Sequence, residues 1–113
     1  MATRKIDKAE LDQYFDGVSK ALGAVTAEVE VAGLDIGEQV EAEWLPLAGM
    51  TYDRKDDVFE IDLGDAVDHL VLHPTEVYVE ESAEGLHSIE VVDRDGHCHI
   101  VKLRKALALP APA

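Results

Sequence analysis

The stretch Val25-Thr-Ala-Glu-Val-Glu-Val-Ala-Gly-Leu-Asp-Ile-Gly-Glu-Gln-Val-Glu-Ala-Glu-Trp44 decides the fold. Val25, Ala27, Val29 and Val31 fall on one side of an extended chain, and Thr26, Glu28 and Glu30 on the other. Gly33 and Gly37 bracket a turn, after which Val40, Ala42 and Trp44 alternate in the same way with Gln39, Glu41 and Glu43. Successive strand residues point to opposite faces, so a period of two describes antiparallel strands with one dry face and one wet, acidic face.

Downstream the pattern continues. A short strand is expected around Met50–Tyr52, then a turn at Asp53-Arg54-Lys55-Asp56, then a strand in which Phe59, Ile61 and Leu63 alternate with Glu60 and Asp62. Val77 and Val79 alternate with Glu76, Tyr78 and Glu80, and Glu84-Gly85 turns the chain into Leu86–Val92. Asp93-Arg94-Asp95-Gly96 reads as a type I hairpin turn with Gly96 left-handed, leading into a last strand from His97 to about Arg104. Between Asp65 and His73 the signals conflict. Val67, Leu70 and Val71 suit one helical turn, whereas Pro74 biases His73 towards extended geometry, so a short helical or irregular connection is expected. Pro46 cannot donate to a ladder and marks a bulge, a strand end or an edge.

Upstream lies a helix. Leu11, Tyr14, Phe15, Val18 and Leu22 form one apolar stripe at helical spacing. Asp7 and Glu10 are spaced for a capping box, Ile6 and Leu11 for a hydrophobic staple, and Gly23 for a left-handed C-terminal cap. The expected fold is therefore α+β, an N-terminal helix packed on a bent antiparallel sheet or partly open barrel of five or six strands. Its order resembles Sm-like small barrels by element count alone. One globular domain is expected over residues 1–105, with the helix at about 8–22 and strands at about 24–104, followed by a frayed tail at 106–113.

Charge is unevenly placed. Between Ala21 and Asp93 stand nineteen Asp and Glu but only two bases, Arg54 and Lys55, and the 113 residues carry a net charge of −14. Such a field repels phosphate backbones and anionic lipid, so neither nucleic acid nor a membrane surface is expected as a partner. A single cysteine, Cys98, fits a reducing cytoplasm, and no signal peptide or run of ~20 apolar residues is visible.

Ala32-Gly-Leu-Asp-Ile-Gly-Glu-Gln-Val-Glu-Ala-Glu-Trp-Leu-Pro-Leu-Ala-Gly-Met-Thr-Tyr-Asp-Arg-Lys-Asp-Asp-Val-Phe-Glu-Ile61 resembles an uncharacterised family of small acidic bacterial proteins, a domain of unknown function. So do Asp68-His-Leu and His73-Pro-Thr-Glu-Val-Tyr-Val-Glu-Glu81. The resemblance covers nearly the whole chain and implies a bacterial, cytoplasmic, stand-alone domain. It implies no activity, ligand or catalytic residue.

Motifs with chemistry are sparse. His97 and His99 flank Cys98 and share a strand face, but two imidazoles are short of the three or four ligands that zinc takes. His69 and His73 are four apart, with Pro74 spoiling the helix that would align them. Asp53, Asp56, Asp57, Asp62 and Asp65 crowd one region without the spacing of a calcium loop. None of Ser19, Ser82 and Ser88 sits in a nucleophile elbow. No catalytic residue, cofactor or metal is expected. Trp44-Leu45-Pro46-Leu47 exceeds what alternation requires. Either the strand passes between sheet layers there, which is favoured, or Trp44 faces the core and Leu45 emerges as an apolar spot rimmed by Glu41 and Glu43. The leading expectation is a non-catalytic interaction or scaffold module. It would bind a basic protein surface, or itself, through Glu28, Glu30, Glu41, Glu43, Trp44 and Leu45. The alternative is a metal- or small-ligand-binding domain, a hydrolytic one included, using His97 and His99. An acidic decoy for a nucleic-acid-binding protein is a third possibility.

Overall fold

Alternation of dry and wet residues carries most of the chain into strands. The computed structural model describes residues 2–64 and 67–109, apart from the side chains of Ala42 and Val67. Strand β1 (Ala2–Ile6) comes first, then a 3-10 turn (Lys8–Glu10) and helix α1 (Leu11–Ala21). There follow β2 (Thr26–Gly33), β3 (Gly37–Asp53), β4 (Val58–Leu63) and β5 (Val67–Leu72). Then come β6 (Pro74–Ser82), β7 (Gly85–Asp93) and β8 (Cys98–Leu107). The strands form one antiparallel sheet in the order β1-β6-β7-β8-β2-β3-β4-β5.

Antiparallel sheet and N-terminal helix agree with the expected α+β class, but eight strands replace five or six. Two of the additions had reasons to stay hidden. In β1 only Ile6 is buried, so its sequence shows no alternation. In β5, Val67, His69 and Val71 alternate with Asp68, Leu70 and Leu72, and the same apolar positions also fit a helical turn. Pairing with β4 decides for the strand, and the expected irregular connection is not formed over 67–72. His73 is not extended either. It turns sharply before Pro74 with φ 54, and its N–H donates to the Asp57 carbonyl at 2.9 Å. The Sm-like order does not hold, since a strand precedes the helix.

One long strand makes the bend. The first part of β3 pairs with β2 as far as Thr26↔Pro46, and the second part pairs with β4 from Leu47↔Leu63 onward. Pro46 lies at the crossing, where its carbonyl accepts from Gly64 N–H at 2.8 Å. The register slips between Leu47 and Gly49. Ser19 of α1 repairs the ladder there: its hydroxyl donates to the Met50 carbonyl at 2.7 Å and accepts from Met50 N–H at 3.0 Å.

The helix stripe covers the concave face. Leu11, Phe15 and Val18 are buried with Ala27, Val29, Phe59, Ile61, Val79 and Val101. Phe15 meets Phe59 edge-on, ring centroids 4.7 Å apart. The helix ends differ from expectation. Asp7 makes no side-chain cap, and Glu10 N–H instead donates to the Asp7 carbonyl at 2.8 Å, closing the 3-10 turn. Helix α1 leaves through Leu22 in extended geometry (φ −63, ψ 131), and Gly23 is not left-handed. At the other end Ala106 and Leu107 continue β8 rather than fraying, with Leu107 buried opposite Leu86. The rest of the expected tail, 110–113, and residues 65 and 66 lie outside the described residues. No helix among the described residues is long and apolar enough to cross a membrane.

Candidate interaction arm and histidine chain

Strands β2 and β3 form a hairpin arm whose turn presents Leu34 fully to solvent. Ile36 is 36% exposed and Val40 54%, so the arm holds three of the five exposed large apolar side chains among the described residues. The other two, Leu70 and Leu72, point outward from the edge strand β5. Paired positions share a face, and Glu28↔Lys102 and Glu30↔Val40 place those four on the outer, convex side. Lys102 Nζ bonds Glu30 Oε1 at 3.2 Å and, with the contact from Glu28, holds the Glu30 carboxyl below its ordinary range. Glu28 is pushed up by its hydrogen bond with Glu30. The expected acidic face is thus answered in part by β8.

The passage of β3 from β2 to β4 at Pro46 agrees with the favoured reading of this segment, while the other reading, Trp44 inward and Leu45 outward, is reversed. Leu45 pairs with buried Ala27 and packs on the core. Trp44 turns outward, where the Arg104 guanidinium lies 5.4 Å from its ring centroid. Two register shifts between Ala27 and Glu30, together with a left-handed Trp44 (φ 50), break the alternation that the sequence implied. Of the six residues expected to form an interaction surface, Glu28, Glu30 and Trp44 share the outer face. Glu41 and Glu43 are exposed on the same arm, whereas Glu30 is buried under its bond with Lys102 and Leu45 turns to the core.

From the turn of the arm runs a chain of titratable side chains. His97 Nε2 bonds Asp35 Oδ1 of the turn at 2.8 Å, and His97 Nδ1 lies 3.8 Å from Asp93 Oδ2. His99 Nε2 bonds the same Asp93 oxygen at 2.9 Å, and His99 Nδ1 meets His69 Nε2 of β5 at 2.8 Å. Gly33 makes room for this arrangement, because a Cβ there would collide with the His97 ring. The bond to Asp35 raises the His97 pKa and lowers that of Asp35. Burial pushes the Asp93 carboxyl up, but His99 and the N–H groups of His97 and Asp95 outweigh it, leaving it lowered. Burial, then the proximity of His99, lowers the His69 pKa against the opposing field of Glu41.

Asp93 is an acceptor, so His99 donates from Nε2, which leaves its Nδ1 to accept from His69 Nε2–H. The contact joins sheet centre to sheet edge through one N–H donor. His97 and His99, the alternative metal ligands of the sequence, are each directed at a carboxylate. Among the described residues one trio has its ligand atoms within 4.8 Å of one another, Glu60, Asp62 and Asp68 on the outer side of β4 and β5. Cys98 faces away from the histidines. Burial and then Glu90 raise its thiol pKa, so it is a poor nucleophile.

A second node ties the N-terminal segment down. Asp57 (φ 54) takes Lys8 Nζ at 2.9 Å and the Tyr52 hydroxyl at 2.7 Å on one oxygen, with His73 Nδ1 3.3 Å from the other. The Lys8 and Tyr52 bonds hold Asp57 down at about 2, and burial, then Asp57, pushes Tyr52 up to about 12. His69 and His73, considered together in the sequence, serve these two separate nodes. Sequence reasoning missed Asp93, Asp35 and the role of His69, which topology alone brings together. One signal was present: His99 alternates with Val101 and Leu103, which marks it as an inward-facing histidine in need of a partner.

An uncharacterized protein of Aquifex aeolicus is 48% identical over 110 residues, covering 97% of this chain and 99% of that one. No solved structure matches the chain. The family of unknown function DUF5335 matches residues 2–112, and the chain belongs to that family.

Proposed function

We propose that the chain is a non-catalytic interaction module whose working surface is the β2–β3 arm, presented to a protein with a basic surface. The observation that carries this reading is the concentration of exposed apolar side chains, Leu34, Ile36 and Val40, on one arm. Around them stand Asp35, Glu38, Glu41 and Glu43, so the apolar spot has an acidic rim. Trp44 stacked with Arg104 adds two residue types common at binding hot spots. The Asp35–His97 bond supports the reading further, since a turn held in place loses less entropy on binding. The lone Cys98 is consistent with a cytoplasmic setting.

A photo-crosslinking residue placed at position 34 or 40, in host extract, tests the proposal. It should capture a basic protein, and Leu34→Asp with Val40→Asp should abolish capture from neighbouring positions. Added salt should weaken capture, because attraction between exposed charges is screened over about 8 Å at physiological ionic strength. Capture from position 70 at the sheet edge, with none from 34 or 40, would move the interface to β5.

A further inference from the structure

Gly17 sits inside α1 with no evident reason to be glycine. Glycine in a helix interior weakens the helix, and nothing lies within 4 Å of where its Cβ would be, so packing does not require it. What the missing side chain leaves is open space in a cleft of about 550 Å³ between α1 and the β6–β7 turn, within the range of small-molecule sites. Gly17, Val18 and Leu109 give the cleft an apolar floor.

The charged wall is already organised. Arg4 Nε bonds Glu81 Oε1 at 3.0 Å, the Tyr14 hydroxyl bonds Glu81 Oε2 at 3.1 Å, and the Arg4 guanidinium lies 5.5 Å from the Tyr14 ring centroid. Arg4 and Glu81 thereby neutralise each other. Glu84, on the turn, makes no ion pair among the described residues. Its position is held by its own N–H on Ser82 Oγ at 3.1 Å, and that hydroxyl is 2.6 Å from His87 Nε2. One carboxylate is left over, in a chain of net charge −14.

We propose that this cleft binds a small organic cation with an apolar body, its ammonium on Glu84 and its carbon chain over Gly17, Val18 and Leu109. An anionic ligand of the same shape would meet an arginine already paired and a repulsive field.

The test titrates the full chain with hexylammonium and, separately, hexanoate, following backbone amide shifts by NMR. Hexylammonium should give saturable shifts at Gly17, Glu84 and Gly85, and hexanoate none. Glu84→Gln should weaken hexylammonium binding about tenfold, the loss of one charge-assisted bond. Gly17→Leu should abolish binding by filling the cleft, while raising the melting temperature. Gly17→Ala should raise it too and weaken binding less. Absence of saturable shifts at those residues, or hexanoate binding as well as hexylammonium, overturns the proposal. So does a fall in melting temperature in both Gly17 variants, because glycine would then serve packing.

Discussion

His69 is part-buried with the His99 ring nitrogen 2.8 Å away, so a positive charge on it is disfavoured and the His69–His99 contact is sensitive to acid. Burial lowers the His69 pKa below its ordinary 6.5. A histidine with a lowered folded-state pKa contributes stability in full above 6.5 and loses it as pH falls from there towards the folded value. His97, at the other end of the chain, has the opposite sign. Its pKa is raised by Asp35, so its contribution is complete below 6.5 and is lost as pH rises through the folded value. The arrangement is best satisfied around neutrality. Replacing His69 by Leu leaves the His99 Nδ1 without its partner and should cost about 1–3 kcal/mol at pH 8. The difference from the parent protein should shrink as pH drops below 6.5, because the parent alone then carries the cost of a charged, part-buried His69. Denaturant unfolding at a series of pH values checks this. A difference independent of pH would show that His69 acts through packing and not through its proton.

Helix α1 illustrates what an element needs from the rest of the chain. Phe15 is fully buried between Tyr14 and Phe59, with edge-on ring contacts at 5.0 and 4.7 Å. Phe15→Ala should cost about 3–5 kcal/mol, from lost burial and the cavity left behind. An unfolding midpoint that barely moved would mean the helix is an appendage to the sheet. Its stripe was legible because helical periodicity is local. So were β2, β4, β6 and β7, each half wet and half dry. The capping box was not, because spacing in sequence says nothing of the backbone angles that let Asp7 reach back, and a 3-10 turn forms instead. The less favoured reading of Trp44 and Leu45 failed for a related reason: a bulge inverts alternation without altering composition. The candidate arm was half legible. Its acids were visible at once, whereas Leu34 and Ile36 stood out only after the fold showed that nothing covers them. The histidine chain was least legible, since it joins a hairpin turn, the middle of the sheet and its edge.

On the scale of the whole molecule, topology tempers the charge segregation of the sequence. Eight of the ten bases lie outside the acidic middle, towards the two ends of the chain, and the fold lays both ends against that middle. Strand β1 pairs with β6, giving Arg4–Glu81 at 3.0 Å, and β8 lies beside β2, giving Lys102–Glu30 at 3.2 Å. Lys8–Asp57 at 2.9 Å adds a third tie of the same kind. Salt screens these attractions and also the repulsion among the acids, so the two effects compete. The basic side chains of the three pairs are each about half exposed, at 52%, 47% and 47%, and pairs of that kind contribute about 0–1 kcal/mol each. Repulsion acts over many more pairs, with nineteen acids against two bases between Ala21 and Asp93. It should win, and the melting temperature should rise as sodium chloride is added from low ionic strength. A gain of about 1 kcal/mol would move the midpoint of a chain this size by roughly 4 °C. A thermal melting series in chloride measures it. If the midpoint falls instead, the end-to-middle pairs dominate, and Arg4→Gln, Lys8→Gln and Lys102→Gln together should then abolish the salt effect.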